Sequence, residues 1–354
     1  MTITFEATLP YVGMILNQFA QVGLMIVGKA AISSGMTTFT FVFYSNALAA
    51  LFLLSAFLFH RSPRPPLTLS VICGFFLLGV LGCTAQLTGY TGINHTSASF
   101  ASAMLNLIPG FTFLLAITFR MEKLDLASSS TIAKCTGTVV SIIGAFIATL
   151  YKGSQILTTS DSSRSNFHRL HLPLVNWVIG AAFLLVDCVA SSAFLVVQAS
   201  ILKNYPVELI VVFFYFFFTA ILSAVISLIV DRDLNAWMLT PDMRWLAVLY
   251  SGIFGSAFQV SVMVWCVRRK GPLFVAVFHP LGIVIAAALG IIFSGDIFYV
   301  GSLVGWVIIV IGFYCVMWGK AKEIKVANDN LAINTESRGA KAPLLESEDR
   351  VLET

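Results

Sequence analysis

Charged residues are scarce in this chain: Asp, Glu, Lys and Arg make up 11% of its 354 residues, whereas 58% are hydrophobic. Soluble domains carry about 25% charged residues. The mean hydropathy of +0.90 is typical of a chain that spends much of its length in lipid. The shortage of charge therefore argues against an ordinary soluble domain and predicts an integral membrane protein.

The sequence also lacks the patterns of metal sites and of common enzymes. Its six cysteines include no CxxC pair, and its five histidines form no HExxH or HxxHH group. A GxxxxGK[ST] loop for ATP is missing, and no basic patch with interleaved aromatic residues indicates nucleic acid. We therefore predict no cofactor, no metal, no nucleic-acid partner, no enzymatic activity and no ATP-driven pump.

Long apolar runs are the main feature of the sequence. A helix needs about 20 mostly apolar residues to cross a hydrocarbon core of about 30 Å. Ten stretches reach that length, at residues 9–30, 38–59, 69–91, 98–119, 131–151, 174–197, 207–230, 245–267, 273–293 and 300–319. We predict an all-α integral membrane fold with ten transmembrane helices. The first stretch has no basic leader and is interpreted as a span, not as a signal peptide.

Basic residues predict the orientation of the spans. With the N-terminus inside, fifteen of the 21 Lys and Arg residues fall on inner segments, in line with the retention of positive charge on the cytoplasmic side. Both termini are therefore expected in the cytoplasm. Residues 320–354 are polar and are predicted to form a disordered cytoplasmic tail.

The chain divides into two similar halves. A polar, Ser/Thr-rich loop at 152–173, expected outside the cytoplasm, separates five spans in residues 1–151 from five in residues 174–319. GVLGCTAQ at 79–86 recurs as GIFGSAFQ at 252–259. Because five crossings reverse the direction in which the next half enters the membrane, the similarity predicts two inverted five-helix repeats.

Other positions recur in the same order. The matching pairs are Gly79 and Gly252, Gly82 and Gly255, Gln86 and Gln259, Pro109 and Pro280, Gly137 and Gly305, and Gly144 and Gly312. Small residues allow close helix packing in lipid. The two glutamines share a face with the glycines and are either ties between helices or cavity groups. The two prolines are expected to kink their helices, either for packing alone or at a central cavity.

Several blocks of sequence resemble one known family. They are PYVGMILNQFAQVG at 10–23, TSASFASAMLNLIPGFTFLLAITFRMEKLDL at 96–126, GTVVSIIGAFIATLYKG at 137–153, YSGIFGSAFQ at 250–259 and RRKGPLFVAVFHPLG at 268–282. From Pro10 to about Lys320, the chain is similar to the plant nodulin-21-like, walls-are-thin-related (UMAMIT) transporters. These belong to the drug/metabolite transporter superfamily and have EamA repeats as halves.

The resemblance implies transport of amino acids or related metabolites, including auxin, across the plasma membrane or the vacuolar membrane. It also points to departures in this chain. Relatives of this kind have a small residue where this chain has Asp187 and His279, and a Glu where it has Asp296. A different solute preference is therefore expected at Asp187.

Asp187 is the carboxylate placed deepest within a predicted span, in WVIGAAFLLVDCVASSAF at 177–194. A charge at a helix centre costs about 2.5 to 3.5 kcal/mol on insertion scales. In one interpretation, Asp187 faces a cavity and pairs with a substrate ammonium or carries a coupling proton, which His279 shares. In the other, it stays protonated and bonds a neighbouring Ser or a carbonyl group.

The remaining candidates are polar groups on the spans. Gln18 and Gln21 share a face of the first span with Met14. The predicted cavity set is Gln18, Gln21, Gln86, Tyr90, Asn106, Asp187, Gln198, Gln259 and His279. Asp125 and Asp296 each follow the fourth span of a half, where we expect a gate or a cap.

These features favour a secondary transporter of a small-molecule solute, with a central cavity lined by the first, third and fourth spans of each half. The glycine-patterned fifth and tenth spans are expected at the periphery or in a homodimer interface. Two alternatives stay open. A nucleotide-sugar or phosphate-ester antiporter would need buried basic pairs, and only Lys29 and Lys134 approach the spans. A non-transporting scaffold or receptor would need the packing glycines but no cavity.

Overall fold

A computed structural model describes residues 2–59, 66–95, 104–121, 128–150, 155–157, 174–230, 237–239, 242–279, 281–282, 284–285 and 298–339. The helices in the N-terminal half are α1 (Thr2–Ser33), α2 (Thr38–Phe59), α3 (Leu69–His95), α4 (Ile108–Thr118) and α5 (Ser129–Leu150). Those in the C-terminal half are α6 (Leu174–Asn204), α7 (Glu208–Val230), α8 (Asp242–Tyr250), α9 (Gln259–Lys270), α10 (Pro272–Val277) and α11 (Val300–Gly339). A π-helical stretch, Ser251–Phe258, joins α8 to α9.

The structure confirms the prediction of an all-α membrane fold. Within the described ranges, seven helical stretches are long and apolar enough to cross a membrane. Two short strands, β1 (Gln155–Leu157) and β2 (Phe298–Tyr299), pair in antiparallel fashion. They connect the polar segment between the halves to the residues just before α11.

Some helices extend beyond the predicted spans. α3 continues to His95 and α6 to Asn204, because hydropathy marks the length immersed in lipid and not the length of the helix. α11 continues to Gly339. A helix therefore occupies the first part of the segment 320–354, for which the sequence predicted disorder; this part contains the good helix formers Ala, Lys and Glu.

Glycines allow the sharp turns at two helix ends. Gly35, in the turn between α1 and α2, and Gly271, between α9 and α10, both have a φ of +90°. Side chains strain a backbone in this region. Pro272 follows directly in the first turn of α10, where its missing N–H leaves no helical bond unmade.

The main helix contacts join the two halves of the chain. α3 packs on α6, α2 on α7, α5 on α11, and α1 on α8 and α9. The largest cluster of buried apolar residues includes side chains from both halves, among them Leu78, Leu195 and Phe274. The core therefore lies between the halves.

Glycines allow α5 and α11 to pack with their backbones in close contact. A methyl group at Gly137 would lie 2.7 Å from the carbonyl oxygen of Gly312, and one at Gly144 would lie 2.8 Å from the backbone nitrogen of Ile309. Ser130 Oγ also donates to the carbonyl of Gly319 at 2.6 Å. Close approach at small residues stabilises helix pairs in lipid, so these glycines hold the fifth span against the last.

The pattern of burial repeats between the halves. The sequence of buried, half-buried and exposed positions from Thr8 to Ala20 on α1 is identical to that from Val178 to Ala190 on α6. From Thr38 to Ser55, α2 matches α7 in the same way, position for position, apart from two differences. Asn17 thereby matches Asp187, each 170 positions from the other in the chain.

Candidate functional site

Gln21 is exposed on the side of α1 that faces the rest of the protein. Met14, Asn17 and Gln18 are buried, and Gln21 shares their face because residues three, four and seven apart align on a helix. The large apolar side chains exposed on α1, including Leu16 at 51%, lie on the other side. Gln21 therefore lies on the face of α1 that is turned to the other helices.

The amide of Gln259 meets Gln21 on this face. Gln259 Nε2 donates to Gln21 Oε1, so that one amide from each half of the chain takes part in the same contact. Gln259 is the first residue of α9 and directly follows the π-helical stretch. Such stretches are rare and occur frequently at functional sites, where they change the direction of nearby side chains.

Gln86, the match of Gln259 in the repeated motif, has a different set of partners. Asn46 Nδ2 on α2 donates to Gln86 Oε1 at 3.0 Å, and Gln86 Nε2 donates to the Tyr215 hydroxyl on α7 at 3.1 Å. Gly82, one turn earlier, packs against the Tyr215 ring. Gln86 is thus a tie between three helices, one of the two roles that the sequence left open.

Asp187 lies on α6 where α6 packs against α3. It is 7% exposed, and Ser191 Oγ donates to its Oδ1 at 3.0 Å. A methyl group at Gly89 would lie 2.6 Å from Asp187 Oδ2, and Tyr90 is the next residue on α3. Among the described residues, Asp187 has no salt-bridge partner.

The fourth span of the N-terminal half is broken near Pro109. The sequence predicted a kink inside a continuous helix, but α4 begins at Ile108 and Pro109 lies in its first turn. Proline is tolerated there because the first N–H groups of a helix have no helical partner. The structure therefore has a helix start at Pro109 in place of the predicted kink.

Side chains of α6 bond the backbone at this break. Cys188 Sγ donates to the carbonyl of Met104 at 3.1 Å, and Ser192 Oγ donates to that of Ile108 at 3.1 Å. Asn106 is buried in the turn between these two carbonyls. The broken helix is therefore fixed to α6 next to Asp187.

Four buried oxygen atoms lack a hydrogen-bond partner within the described part of the chain. They are Asn17 Oδ1, Asn46 Oδ1, Thr112 Oγ1 and Gln198 Oε1. Buried polar atoms are nearly always hydrogen-bonded to protein or water. The interior therefore contains acceptors that water or a solute can bond.

Other candidates are incompletely described. His279 is half-buried, and Gln18 Oε1 packs against Gly282, where a methyl group would lie 2.6 Å away. Pro280, Asp125 and Asp296 lie outside the described residues, so the kink at Pro280 and the gate or cap roles stay predictions. The residues searched for metal ligands contain no group of three or more His, Cys, Asp or Glu that could hold an ion.

The sequence reasoning missed Asn46, Ser191 and Tyr215. Asn46 could have been found, because it is an amide within the apolar run of α2. Ser191 stands one helical turn after Asp187, and this spacing was a usable signal. Nothing in the sequence distinguished Tyr215 from the aromatic residues around it in FFYFFF.

Apolar helices that can cross a membrane, with amide and carboxyl groups in their interior, define a multi-pass membrane protein with an internal polar site. The EamA-like transporter family matches the chain twice, at residues 9–150 and 178–318. WAT1-related protein At3g28050 from Arabidopsis thaliana is 43% identical over 96% of this chain and 95% of its own length. WAT1-related protein At3g28130 from the same plant is 39% identical, over 88% of this chain and 90% of its own.

A solved crystal structure has the same fold, with a TM-score of 0.66 and 13% sequence identity, over 89% of this chain and 98% of that chain. This similarity concerns the fold alone. Together with the sequence matches, it leads to one assignment: the chain belongs to the EamA-like transporter family and to its plant WAT1-related proteins, within the drug/metabolite transporter superfamily. It is a membrane transporter.

Proposed function

We propose that this protein is a secondary transporter of amino acids or related small organic metabolites such as auxin, and that it works by alternating access. Ten spans form two inverted five-helix halves around one hydrated chamber. The observation that carries the proposal is the contact between Gln21 and Gln259, which brings together one amide from each half of the chain.

The inverted arrangement has two supports. The burial pattern of α1 recurs on α6, and that of α2 recurs on α7. The contact of Gly79 with Phe218 is matched by that of Gly252 with Leu48. Each contact joins the third span of one half to the second span of the other, as a two-fold relation between halves requires.

The chemistry of the interior favours solutes with an amino group. Asp187 provides a carboxyl group, and Asn17 and Gln198 each contribute an oxygen without a donor. A substrate ammonium would supply the donors that these atoms lack. The amides of Gln21 and Gln259 can both donate and accept, which suits a carboxylate at the other end of an amino acid.

The described basic side chains give little support to a nucleotide-sugar or phosphate-ester antiporter. Lys134 bonds Glu323 at 3.0 Å. Arg244 donates to the carbonyl groups of Ser34 and Met238. Both cations hold helices and loops together. A dianionic solute would need cations turned into the chamber, so the antiporter stays the second candidate.

Both termini are proposed to lie in the cytoplasm, with the protein in the plasma membrane or the vacuolar membrane. Fusion of a pH-sensitive fluorescent protein to each terminus in plant cells tests this topology. Fluorescence at cytoplasmic pH is expected from both fusions, and a signal typical of the acidic vacuole or apoplast from either one would contradict it.

Uptake into proteoliposomes separates the candidate functions. Purified protein is reconstituted and offered radiolabelled neutral amino acids, an indole acid and a nucleotide sugar, each with protein-free liposomes as a control. The proposal expects saturable uptake of amino acids or of the indole acid. Uptake of the nucleotide sugar alone would favour the antiporter, and no uptake of any solute would favour a scaffold or receptor.

A further inference from the structure

The two glutamines of the repeated motif are bonded differently in this structure. Gln86 bonds Asn46 and Tyr215, whereas Gln259 bonds Gln21. The motif is also α-helical around Gln86 and π-helical before Gln259. One pair of matching residues therefore has two different sets of partners within a single structure.

The burial match between the halves identifies the residue that corresponds to Gln21. α1 and α6 align with Asn17 on Asp187, so Gln21 aligns with Ser191. Ser191 donates its hydroxyl to Asp187 Oδ1. The counterpart of the contact between Gln259 and Gln21 would join Gln86 to Ser191, and no such bond is present between these two described residues.

α3 and α6 pack in antiparallel directions around Asp187. Gly89 packs against Asp187, and Gly92, one turn later on α3, packs against Leu184, one turn earlier on α6. Later residues of α3 therefore contact earlier residues of α6, as in an antiparallel helix pair.

This packing places Gln86 beside Ser191. Gln86 is one turn before Gly89 on α3, and Ser191 is one turn after Asp187 on α6, so both lie at the same level of the helix pair. Gln86 could reach the Ser191 hydroxyl by a change of side-chain direction and a small helix shift. In this structure its amide is turned to α2 and α7 instead.

A second counterpart lies on α2. The alignment of α2 with α7 matches Ser45 with Tyr215, whose hydroxyl accepts the hydrogen bond from Gln86. Ser45 is buried and accepts a hydrogen bond from Ser251 Oγ at 2.7 Å. Ser251 begins the π-helical stretch that ends before Gln259. The Ser45 hydroxyl therefore lies at the start of the π-helical stretch, whereas Gln259 follows its end.

We infer that Gln86 and Gln259 form an amide switch that exchanges partners between the two states of the transporter. In the opposite state, Gln86 leaves Tyr215 and bonds Ser191, while Gln259 leaves Gln21. The inference rests on the proposed function, because two inverted halves change access by exchanging conformations. In each state, the amide nitrogen of Gln86 keeps a hydroxyl oxygen as its acceptor.

The switch connects the conformational change to Asp187. In the opposite state, the amide of Gln86 lies beside Ser191, and the hydroxyl of Ser191 divides its bonds between Gln86 and the carboxyl group. The surroundings of Asp187 then differ between the two states. A solute or proton at Asp187 can shift the equilibrium only through such a difference.

A disulfide reporter tests the exchange without any substrate. Gly13→Cys and Val262→Cys are introduced into a protein whose six native cysteines are replaced; a Cβ at Gly13 would lie 3.3 Å from Val262 Cγ1. This pair joins α1 to α9 and leaves both glutamines in place. The rate of disulfide formation then reports the present conformation.

Two substitutions act on opposite sides of the exchange. Tyr215→Phe removes the hydroxyl that accepts the hydrogen bond from Gln86. It is expected to reduce the population of the present state relative to the opposite state about fivefold. The rate of disulfide formation should therefore fall. Adding Ser191→Ala to Tyr215→Phe removes the partner that Gln86 has in the opposite state. The rate of disulfide formation is then expected to return towards its original value. Asn46→Ala replaces Tyr215→Phe if that variant does not accumulate.

Ser261→Ala is the matched control, because the Ser261 hydroxyl donates to the carbonyl of Ala257 within its own helical segment. It is expected to leave the lowered rate of Tyr215→Phe unchanged. The inference is overturned if Tyr215→Phe does not lower the rate, or if Ser191→Ala restores it no better than Ser261→Ala. Because no solute is used, a failed uptake panel would count against the proposed function and not against the switch.

Discussion

Asp187 occupies on α6 the position that Asn17 occupies on α1. Both are buried, at 7% and 4% exposure, within identical runs of buried and exposed positions. One half of the chain therefore has an amide where the other has a carboxyl group. Only Asp187 can change its charge, so any coupling through this pair depends on the C-terminal half.

Asp187→Asn replaces the carboxyl group by the amide found at Asn17. The side chain keeps its size, and its oxygen can still accept the Ser191 hydroxyl, so folding should be retained. Uptake of the transported solute is expected to fall at least tenfold, or about 1.4 kcal/mol, because an ionisable group inside a membrane helix is typically functional. Initial uptake rates in proteoliposomes measure the loss, and thermal unfolding in detergent checks the fold.

Asn17→Ala provides the comparison for this substitution. It removes a side chain at the matching position without removing a titratable group, and the pH dependence of uptake should survive. If Asp187→Asn leaves both the rate and its pH profile unchanged, Asp187 has no part in transport.

Gly89→Ala should displace the Asp187 carboxyl group. The added methyl group would lie 2.6 Å from Asp187 Oδ2, which is closer than real contacts allow. We expect a several-fold rise in KM with modest loss of stability, because the carboxyl end of the side chain can move. Gly28→Ala is the control, since its methyl group would meet the Phe41 ring at an ordinary 3.5 Å. Equal KM values for the two variants would argue against a role for the carboxyl position.

The sequence predicted the fold in outline because lipid demands long apolar helices, and these are visible as hydropathy. α2 occupies the predicted span 38–59, and α6 begins at the predicted residue 174. The π-helical stretch at Ser251–Phe258 was not predictable, because its residues have the same pattern as GVLGCTAQ, which is α-helical. Tertiary packing, not local sequence, separates the two conformations.

The candidate site was predicted less completely than the fold. Amides such as Gln21 and Gln86 stand out in an apolar sequence, but their partners depend on the rotation of neighbouring helices. Tyr215 is one aromatic residue among many until α3 packs against α7. The position of Pro109 shows the same limit, because a proline marks a break without telling whether it lies inside a helix or at its start.

Gly312→Ala should weaken the packing of α5 and α11. Its methyl group would lie 2.5 Å from the backbone nitrogen of Ser141 and 2.7 Å from the carbonyl oxygen of Gly137. Backbone atoms cannot turn aside as a side chain can, so a loss of about 1 to 3 kcal/mol is expected. Thermal unfolding in detergent measures it, with Cys315→Ala on the same helix as the control. An unfolding temperature as high as that of the control would contradict the close packing.

Lys134 and Glu323 should respond unequally to substitution. Lys134 is 1% exposed, and its Nζ lies 3.0 Å from Glu323 Oε2. Glu323→Ala removes the carboxylate from a buried ammonium, whereas Lys134→Met removes the buried charge and keeps most of the volume. The unfolding temperature should fall further for Glu323→Ala, and the double variant should resemble Lys134→Met. The reverse order would show that the ion pair itself stabilises the fold.

A hydrated chamber lined by amides from both halves is the central feature of the proposed transporter. Gln21→Cys and Leu16→Cys, each in protein free of native cysteines, place a thiol on opposite sides of α1. Thiols react as thiolates, which form in water and not in lipid. Reaction with a water-soluble thiol reagent should be at least tenfold faster at position 21 than at position 16. Equal or slower reaction at position 21 would contradict the chamber.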